Sequence, residues 1–171
     1  AYSPFAQRLE AVAAALRARG GRVVVVDPRR TETADVADEH VPAVPGTDVW
    51  LLAAMLQVIT SEGLARPGRA TDFVDGIEAV TAAVAEVTPE RVAPVTGVPA
   101  ETIRRLARDL AAARRGAVYG RLGVTQSVYG TPAYWLVHCL NVLTGRLDEI
   151  GGVMFSTPAF DLPTIGARTT D

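Results

Sequence analysis

The spacing of apolar positions changes within the first few dozen residues of the chain. Apolar side chains first recur every three or four residues, the spacing of an amphipathic helix, at Phe5, Leu9, Val12, Ala13 and Leu16. Glycines 20 and 21 then end that helix. The unbroken β-branched run at residues 23–26 is typical of a parallel strand buried on both faces. Residues 40–44 predict a short second strand.

Helical spacing dominates the rest of the chain. It predicts helices that begin at Thr47, at Ile77, at Thr88, after Pro99 and at Thr131. The last of these should end at Gly145, and residues 117–119 predict a third strand. Together these elements indicate an α/β fold, Rossmann-like, with a short parallel sheet and helices on both faces. Because the chain opens on a helix, we expect the sheet to lack its first strand.

The segment after Pro99 has the most strongly amphipathic pattern in the chain. Its apolar positions, Ile103, Leu106, Ala107 and Leu110, should face the core, and its arginines should cover a solvent-exposed face. We expect the domain to span residues 1–152 and to be followed by an irregular tail over residues 153–171.

Composition removes several classes of function. The 171 residues carry a formal net charge of −2, so a general nucleic-acid binder is not expected. All 17 cationic side chains are arginines, which excludes a P-loop lysine or a Schiff-base lysine. The single Cys139 rules out an internal disulfide and predicts an inert buried thiol. We expect no membrane span, no metal ligands and no catalytic residues in this chain, and a cytoplasmic location.

Three loops carry the candidate chemistry. The first loop is residues 27–31, Asp-Pro-Arg-Arg-Thr, directly after the predicted first strand. In an open α/β sheet, ligands sit beyond the carboxyl ends of the strands, where Asp27 can accept hydrogen bonds from a ribose or a base. Arg29 and Arg30 are candidate phosphate ligands. Alternatively, Asp27 and Pro28 only end a strand and the arginines are solvated.

The second loop is residues 45–48, where Gly46 turns the chain and Thr47 and Asp48 begin a helix. The carboxylate of Asp48 could accept from the paired N1–H and N2–H donors of guanine. The alternative is a structural acid at a helix N-terminus.

The third loop is residues 120–130, in which Gly123 lets a flat ligand approach the backbone. The Gln126 amide both donates and accepts, which suits a pterin edge. An ordinary strand-to-helix connection is the alternative. The spacing is not Gly-x-Gly-x-x-Gly, so a standard dinucleotide fingerprint is absent. Because loops after parallel strands emerge at one edge, all three could converge on one ligand.

In order along the chain, these segments resemble the molybdopterin-dinucleotide-binding oxidoreductases of the dimethyl sulfoxide reductase superfamily, which includes formate dehydrogenases and nitrate reductases. The similarity covers about residues 5–152. The matching segments are Val-Val-Asp-Pro-Arg-Arg-Thr-Glu-Thr-Ala, Pro-Gly-Thr-Asp, Thr-Pro-Glu with Thr-Gly-Val, Gly-Val-Thr-Gln and Leu-Thr-Gly.

The resemblance implies a large enzyme that holds molybdenum or tungsten between two pterin guanine dinucleotides, with this chain as one cofactor domain. The family's guanosine-binding loops would map to Asp27, Pro28, Arg29, Arg30 and Thr31, and to Gly46, Thr47 and Asp48. Its pterin-facing loop would map to Leu122, Gly123 and Gln126. The implied partners are the remaining domains and an electron-transfer partner of unknown identity.

The chain also departs from the family pattern. The four-cysteine iron–sulfur segment and the residue that ligates the metal are both absent, so a cluster is expected only outside this chain. The tail does not carry the family's usual asparagine- and glutamine-rich segment. We therefore expect the isolated chain to be catalytically inactive. Two alternatives stay open, a free-standing NAD-like nucleotide-binding domain and a non-catalytic α/β interaction module.

Overall fold

The computed structural model describes residues 4–154, with side chains from residue 8 onward. The predicted tail therefore falls outside the described residues from position 155 on. The long helices are α1 (Pro4–Arg17), α3 (Asp48–Ser61), α6 (Ala100–Ala112) and α8 (Gly130–Leu143). The shorter ones are α2 (Glu32–Val36), α4 (Ile77–Val84), α5 (Pro89–Thr96) and α7 (Leu122–Thr125), and a 3-10 turn spans Gly68–Asp72. The strands are β1 (Val24–Val26) and β2 (Glu39–Val41).

The two strands form a short parallel sheet, as predicted. Val24 pairs with Glu39, Val25 with His40 and Val26 with Val41, and α2 connects the strands. The Asp27 N–H also donates to the Val41 carbonyl at 3.2 Å. This bond carries the pairing one residue beyond β1, to the point where the first loop starts.

The prediction that β1 is buried on both faces was wrong. Val24 and Val25 are half-buried, and Val26 is 40% exposed. Within residues 4–154, β1 pairs only with β2, so its other edge carries no neighbouring strand. The apolar run indicated a strand correctly, but its burial depends on neighbours that the run itself does not specify.

The predicted strand at residues 117–119 was also wrong. These residues are irregular and join no ladder. Instead, the buried side chain of Asn141 on α8 bonds the backbone of Val118 at both its N–H and its carbonyl. A side-chain amide thus supplies the donor and acceptor that a strand neighbour would have offered.

The core surrounds α3, which is apolar around most of its circumference, as expected of a buried helix. Leu56 and Ile59 on this helix are fully buried, and α8, α6, α5 and α4 all pack against it. Ile103, Leu106 and Ala107 of α6 face this core as predicted. The mixed α/β architecture is confirmed, with most of the packing made by helices.

The arginines of α6 differ from the prediction of a simply solvated face. Arg108 makes two 2.9 Å bonds to Glu62 at the end of α3. Arg105 pairs with Glu39 of β2, and Arg104 with Glu90 of α5. Because each partner lies on a different element, these side chains connect α6 to the sheet and to the neighbouring helices.

Candidate functional site

The first loop folds back on its own backbone. The Asp27 carboxylate accepts a hydrogen bond from the Arg29 N–H at 2.8 Å. The ring of His40 donates from Nε2 to the Asp27 carbonyl, also at 2.8 Å. Thr31 caps α2, since its hydroxyl accepts from the Ala34 N–H. The conformation of the loop is therefore fixed by hydrogen bonds within this part of the chain.

An open depression of about 470 Å³ lies over this loop. It is lined by Arg29, Arg30, Thr31, Glu32 and Thr33. Arg30 makes a 2.7 Å ion pair with Asp35, and its side chain remains 65% exposed. Arg29 has no side-chain partner among residues 4–154. Two guanidinium groups at the rim of a concave, solvent-open surface suit a phosphate-bearing group.

The second loop places an acid at the start of α3. Gly46 has φ +78°, a left-handed conformation that glycine adopts without steric cost. Thr47 occupies the N-cap position, but its hydroxyl donates to the Val44 carbonyl at 2.7 Å instead of capping the helix. The helix thus begins at Thr47 as predicted, without a capping bond from the Thr47 side chain. Asp48 follows in the first helical turn.

Asp48 is a half-buried carboxylate for which the described part of the chain offers no side-chain partner. Burial raises the pKa of its carboxyl, and the negative charge of nearby Asp27 raises that pKa further, although the residue's own N–H opposes the shift. A desolvated acid beside a second acid is stabilised by a ligand that brings hydrogen-bond donors.

The third loop contains the one-turn helix α7. Leu122 is 67% exposed, and Gly123 and Gln126 are also exposed. A Cβ added to Gly123 would meet no atom within 4 Å, so this stretch of backbone is open to a flat ligand. Only the backbone N–H of Gln126 is engaged, at 3.0 Å to the Leu122 carbonyl. Its side-chain amide has no partner within residues 4–154.

The structure links the three loops through the start of α3. The first and second loops are neighbours, because Asp27 lies close enough to influence the Asp48 carboxyl. The start of α3, which follows the second loop, meets the third loop in an edge-to-face contact between Trp50 and Tyr129, with ring centroids 6.3 Å apart. Within the described chain no hydrogen bond or ion pair joins the first loop directly to the third. The second loop and the start of α3 thus connect the first loop to the third.

Sequence reasoning missed three supporting residues. Trp50 and Tyr129 join the start of α3 to the third loop, and Asn141 holds the backbone that leads into the third loop. Asn141 carried a signal, because it is a polar residue in an otherwise apolar stretch of helix. The two aromatic residues carried none, since their contact spans 79 positions of the chain.

Other site classes find no support in the described residues. No group of three or more His, Cys, Asp or Glu side chains within residues 4–154 is placed to hold a metal ion. No helix in the same range is both long and apolar enough to cross a membrane. The loops offer acceptors, guanidinium groups and open backbone, which are the features of a binding surface.

Comparison with known proteins gives a consistent result. No family model matches the chain. A nitrate reductase of Symbiobacterium thermophilum is 40% identical over 144 residues, which are 79% of this chain and 19% of that protein. Formate dehydrogenase H of Escherichia coli is 37% identical over 76% of the chain and 18% of its own length. The molybdopterin-containing subunit of the arsenate respiratory reductase of Chrysiogenes arsenatis is 32% identical over 88% of the chain and 21% of its own length.

Comparison with solved structures points to the same group of proteins. Acetylene hydratase from Pelobacter acetylenicus superimposes with a TM-score of 0.75 at 28% identity, over 85% of this chain and 20% of that one. The chain thus spans about a fifth of the length of the curated relatives it matches. The same segment recurs in sequence and in structure across these relatives, and the chain belongs to the dimethyl sulfoxide reductase superfamily of molybdopterin oxidoreductases.

Proposed function

We propose that this chain holds the guanosine and pterin parts of one molybdopterin guanine dinucleotide within a larger molybdenum or tungsten oxidoreductase. The observation that carries the proposal is Asp48, a half-buried carboxylate at the start of α3 with no side-chain partner among residues 4–154. The family membership supports a molybdopterin cofactor. The guanine dinucleotide form is our inference from the three loops.

Guanine suits Asp48 because it is the nucleobase that presents two adjacent donors, N1–H and N2–H, to one carboxylate. A charged acceptor that meets two donors makes hydrogen bonds about twice as strong as neutral ones. Donors close to Asp48 would also offset its desolvation and the repulsion from Asp27. In this arrangement Asp27 lies beside the base, where its carboxylate can accept from the ribose hydroxyls.

The first loop would hold the phosphates. Arg29 and Arg30 line the open depression of about 470 Å³, on the same edge as Asp27. Arg30 is already paired with Asp35, so Arg29 is the guanidinium that a phosphate can recruit without breaking an ion pair. Thr31 contributes by fixing the start of α2, so the loop keeps its shape when a ligand binds.

The third loop would face the pterin. The open backbone at Gly123 and the unpaired amide of Gln126 can contact a flat ring with alternating donors and acceptors. Exposed Leu122 offers an apolar surface beside them. When bound, the molybdopterin group would supply the redox-active metal. The residues of this chain bind and orient the group, and we propose that the other parts of the enzyme complete the active centre and pass electrons onward.

The experiment compares GDP, IDP and NAD by calorimetry on the 171-residue chain. IDP lacks only the exocyclic amine of guanine, so it tests the second donor directly. We expect GDP to bind tighter than IDP or NAD. Asp48→Asn should weaken the binding of GDP by at least tenfold. It should weaken the binding of IDP by less, because IDP lacks one of the two donors that Asp48 would accept from.

The matched control is Asp72→Asn, on the exposed 3-10 turn. It should leave all three affinities unchanged. NAD binding as tight as GDP binding would favour the free-standing nucleotide-binding domain over our proposal. Equal affinity for GDP and IDP, unaffected by Asp48→Asn, would remove Asp48 from the site.

A further inference from the structure

A second cavity lies at the far end of α8 from the three loops. It has a volume of about 490 Å³ and lies between residues 66–69, residues 111–115 and the turn that follows α8. Since α8 is 14 residues long, its two ends are about 21 Å apart. The cavity is therefore separate from the cofactor site proposed above, and no residue lines both.

Its lining is strongly cationic. It contains the five arginines Arg66, Arg69, Arg114, Arg115 and Arg146. Glu149 is the one carboxylate in the lining, and Arg69 lies 3.9 Å from it and 2.9 Å from Asp148. Arg66, Arg114, Arg115 and Arg146 make no ion pair within residues 4–154. Such a concentration of like charge around a concave surface favours the binding of an anion.

Arg146 adds a more specific observation. One of its terminal nitrogens donates to the Ala113 carbonyl at the end of α6. Its Nε is buried and finds no hydrogen-bond acceptor in the described part of the chain. A buried donor without an acceptor is costly, and an anion oxygen in the cavity would satisfy it.

The wall of the cavity is shaped by two glycines. A Cβ on Gly151, which has φ +86°, would come within 2.7 Å of the Arg115 Cδ. A Cβ on Gly145, with φ +65°, would come within 2.6 Å of the Arg66 carbonyl oxygen. Both arginine-bearing segments thus lie directly against a glycine, which lets them approach the turn closely.

The turn itself is held in place by its own hydrogen bonds. The Val153 N–H donates to the Arg146 carbonyl at 2.8 Å, and the Asp148 N–H donates to the Val153 carbonyl at 2.6 Å. Asp148 has φ +55°, an uncommon value for a residue other than glycine. Strained residues of this kind cluster at ligand clamps. The turn that forms one wall of the cavity is therefore held in one conformation by its own backbone.

Bonds that stabilise the fold explain only some of the arginines around this cavity. Arginines at helix C-termini stabilise the exposed carbonyls there, and the bond from Arg146 to Ala113 is an example. Arg66, Arg114 and Arg115 make no such side-chain bond within residues 4–154. We infer that this cavity binds a small phosphate-type oxyanion, held by Arg66, Arg115 and Arg146. Guanidinium forks match the geometry of phosphate oxygens and bind them in pairs.

The test titrates inorganic pyrophosphate into the chain by calorimetry. The double variant Arg66→Gln/Arg115→Gln removes two exposed guanidinium groups and keeps a polar side chain at each position, so folding should be retained. We expect saturable binding to this cavity, with a dissociation constant raised at least tenfold in this variant. The matched control, Arg19→Gln/Arg91→Gln, removes two exposed arginines that line neither cavity and should leave that dissociation constant unchanged.

Two further measurements, an ADP titration and hydrogen exchange, complete the test. ADP distinguishes a nucleotide phosphate from a free one, since tighter binding of ADP with the same arginine dependence assigns the cavity to an organic phosphate. Hydrogen exchange at residues 145–153 should slow when pyrophosphate is added. Absence of saturable pyrophosphate binding, or binding that Arg66→Gln/Arg115→Gln leaves unchanged, would overturn the inference, and the GDP titration tests the proposed cofactor site separately.

Discussion

The side chain of Asn141 hydrogen-bonds the backbone of Val118 at both ends, through Oδ1 to its N–H at 2.9 Å and through Nδ2 to its carbonyl at 2.8 Å. Nδ2 also donates to the Val137 carbonyl at 2.9 Å. Asn141 is only 1% exposed, so it forms these three bonds away from water. Through them α8 fixes the chain just before the third loop.

Asn141→Ala should lower the free energy of unfolding by about 2 to 3 kcal/mol, because two backbone groups of Val118 lose their partner. Urea denaturation measures this loss. The control is Thr144→Val, whose buried hydroxyl bonds only the Leu140 carbonyl of its own helix. A destabilisation by Asn141→Ala no larger than that of Thr144→Val would contradict the proposed role of Asn141.

Two glycines of the third loop, Gly123 and Gly130, should respond differently to the same substitution. A Cβ on Gly130 would lie 2.1 Å from the Thr125 carbonyl oxygen, so Gly130→Ala must displace the loop. We expect a loss of about 1 to 3 kcal/mol in stability. Gly123→Ala meets no atom within 4 Å and should leave the stability nearly unchanged.

Under our proposal, Gly123→Ala should nevertheless weaken binding of a pterin, because the added methyl group stands between the ligand and the backbone. Thermal denaturation and a pterin titration of both variants separate these effects. If Gly123→Ala destabilised the chain as much as Gly130→Ala, the open surface at Gly123 would be refuted.

Asp48 should make the stability of the chain depend on pH. Its carboxyl pKa is raised in the folded state, so its contribution to stability is fully present below the unfolded pKa, near 3.8, and is lost as the pH rises through the folded value. Asp48→Asn should therefore raise the free energy of unfolding of the ligand-free chain at pH 7. The gain should shrink toward pH 4.

Urea denaturation between pH 4 and pH 7 checks this, with Asp72→Asn as the control. A gain from Asp48→Asn that stays constant over this range would show that the charge of Asp48 is not the cause. If the pH-dependent gain is found together with weaker GDP binding, the site trades stability for recognition, as functional sites commonly do.

Cys139 should be unreactive in the folded chain. Burial raises the pKa of its thiol to about 11, so only about one molecule in a thousand carries the thiolate at pH 8. A thiol reagent should label Cys139 slowly in buffer and rapidly above the urea midpoint. Rapid labelling of the native chain would mean that α8 opens without global unfolding.

Elements with strong local patterns were predictable from the sequence. The helical spacing around α3, α6 and α8 and the β-branched run of β1 each depend on neighbouring residues alone, and all four elements are present. The residue types in the first and second loops likewise stand directly after an element whose end the sequence marks. These features are encoded over a few positions, so they can be read without knowing the fold.

Only the tertiary structure decided which residues far apart in the sequence interact with each other. Asn141 replaces a strand neighbour for Val118 across 23 positions, and Asp27 affects Asp48 across 21. The arginines of α6 have an amphipathic pattern that predicts solvation, yet Arg105 pairs with Glu39 across 66 positions. Periodicity states which side of an element is polar, whereas packing determines which charge or carbonyl is brought to that side.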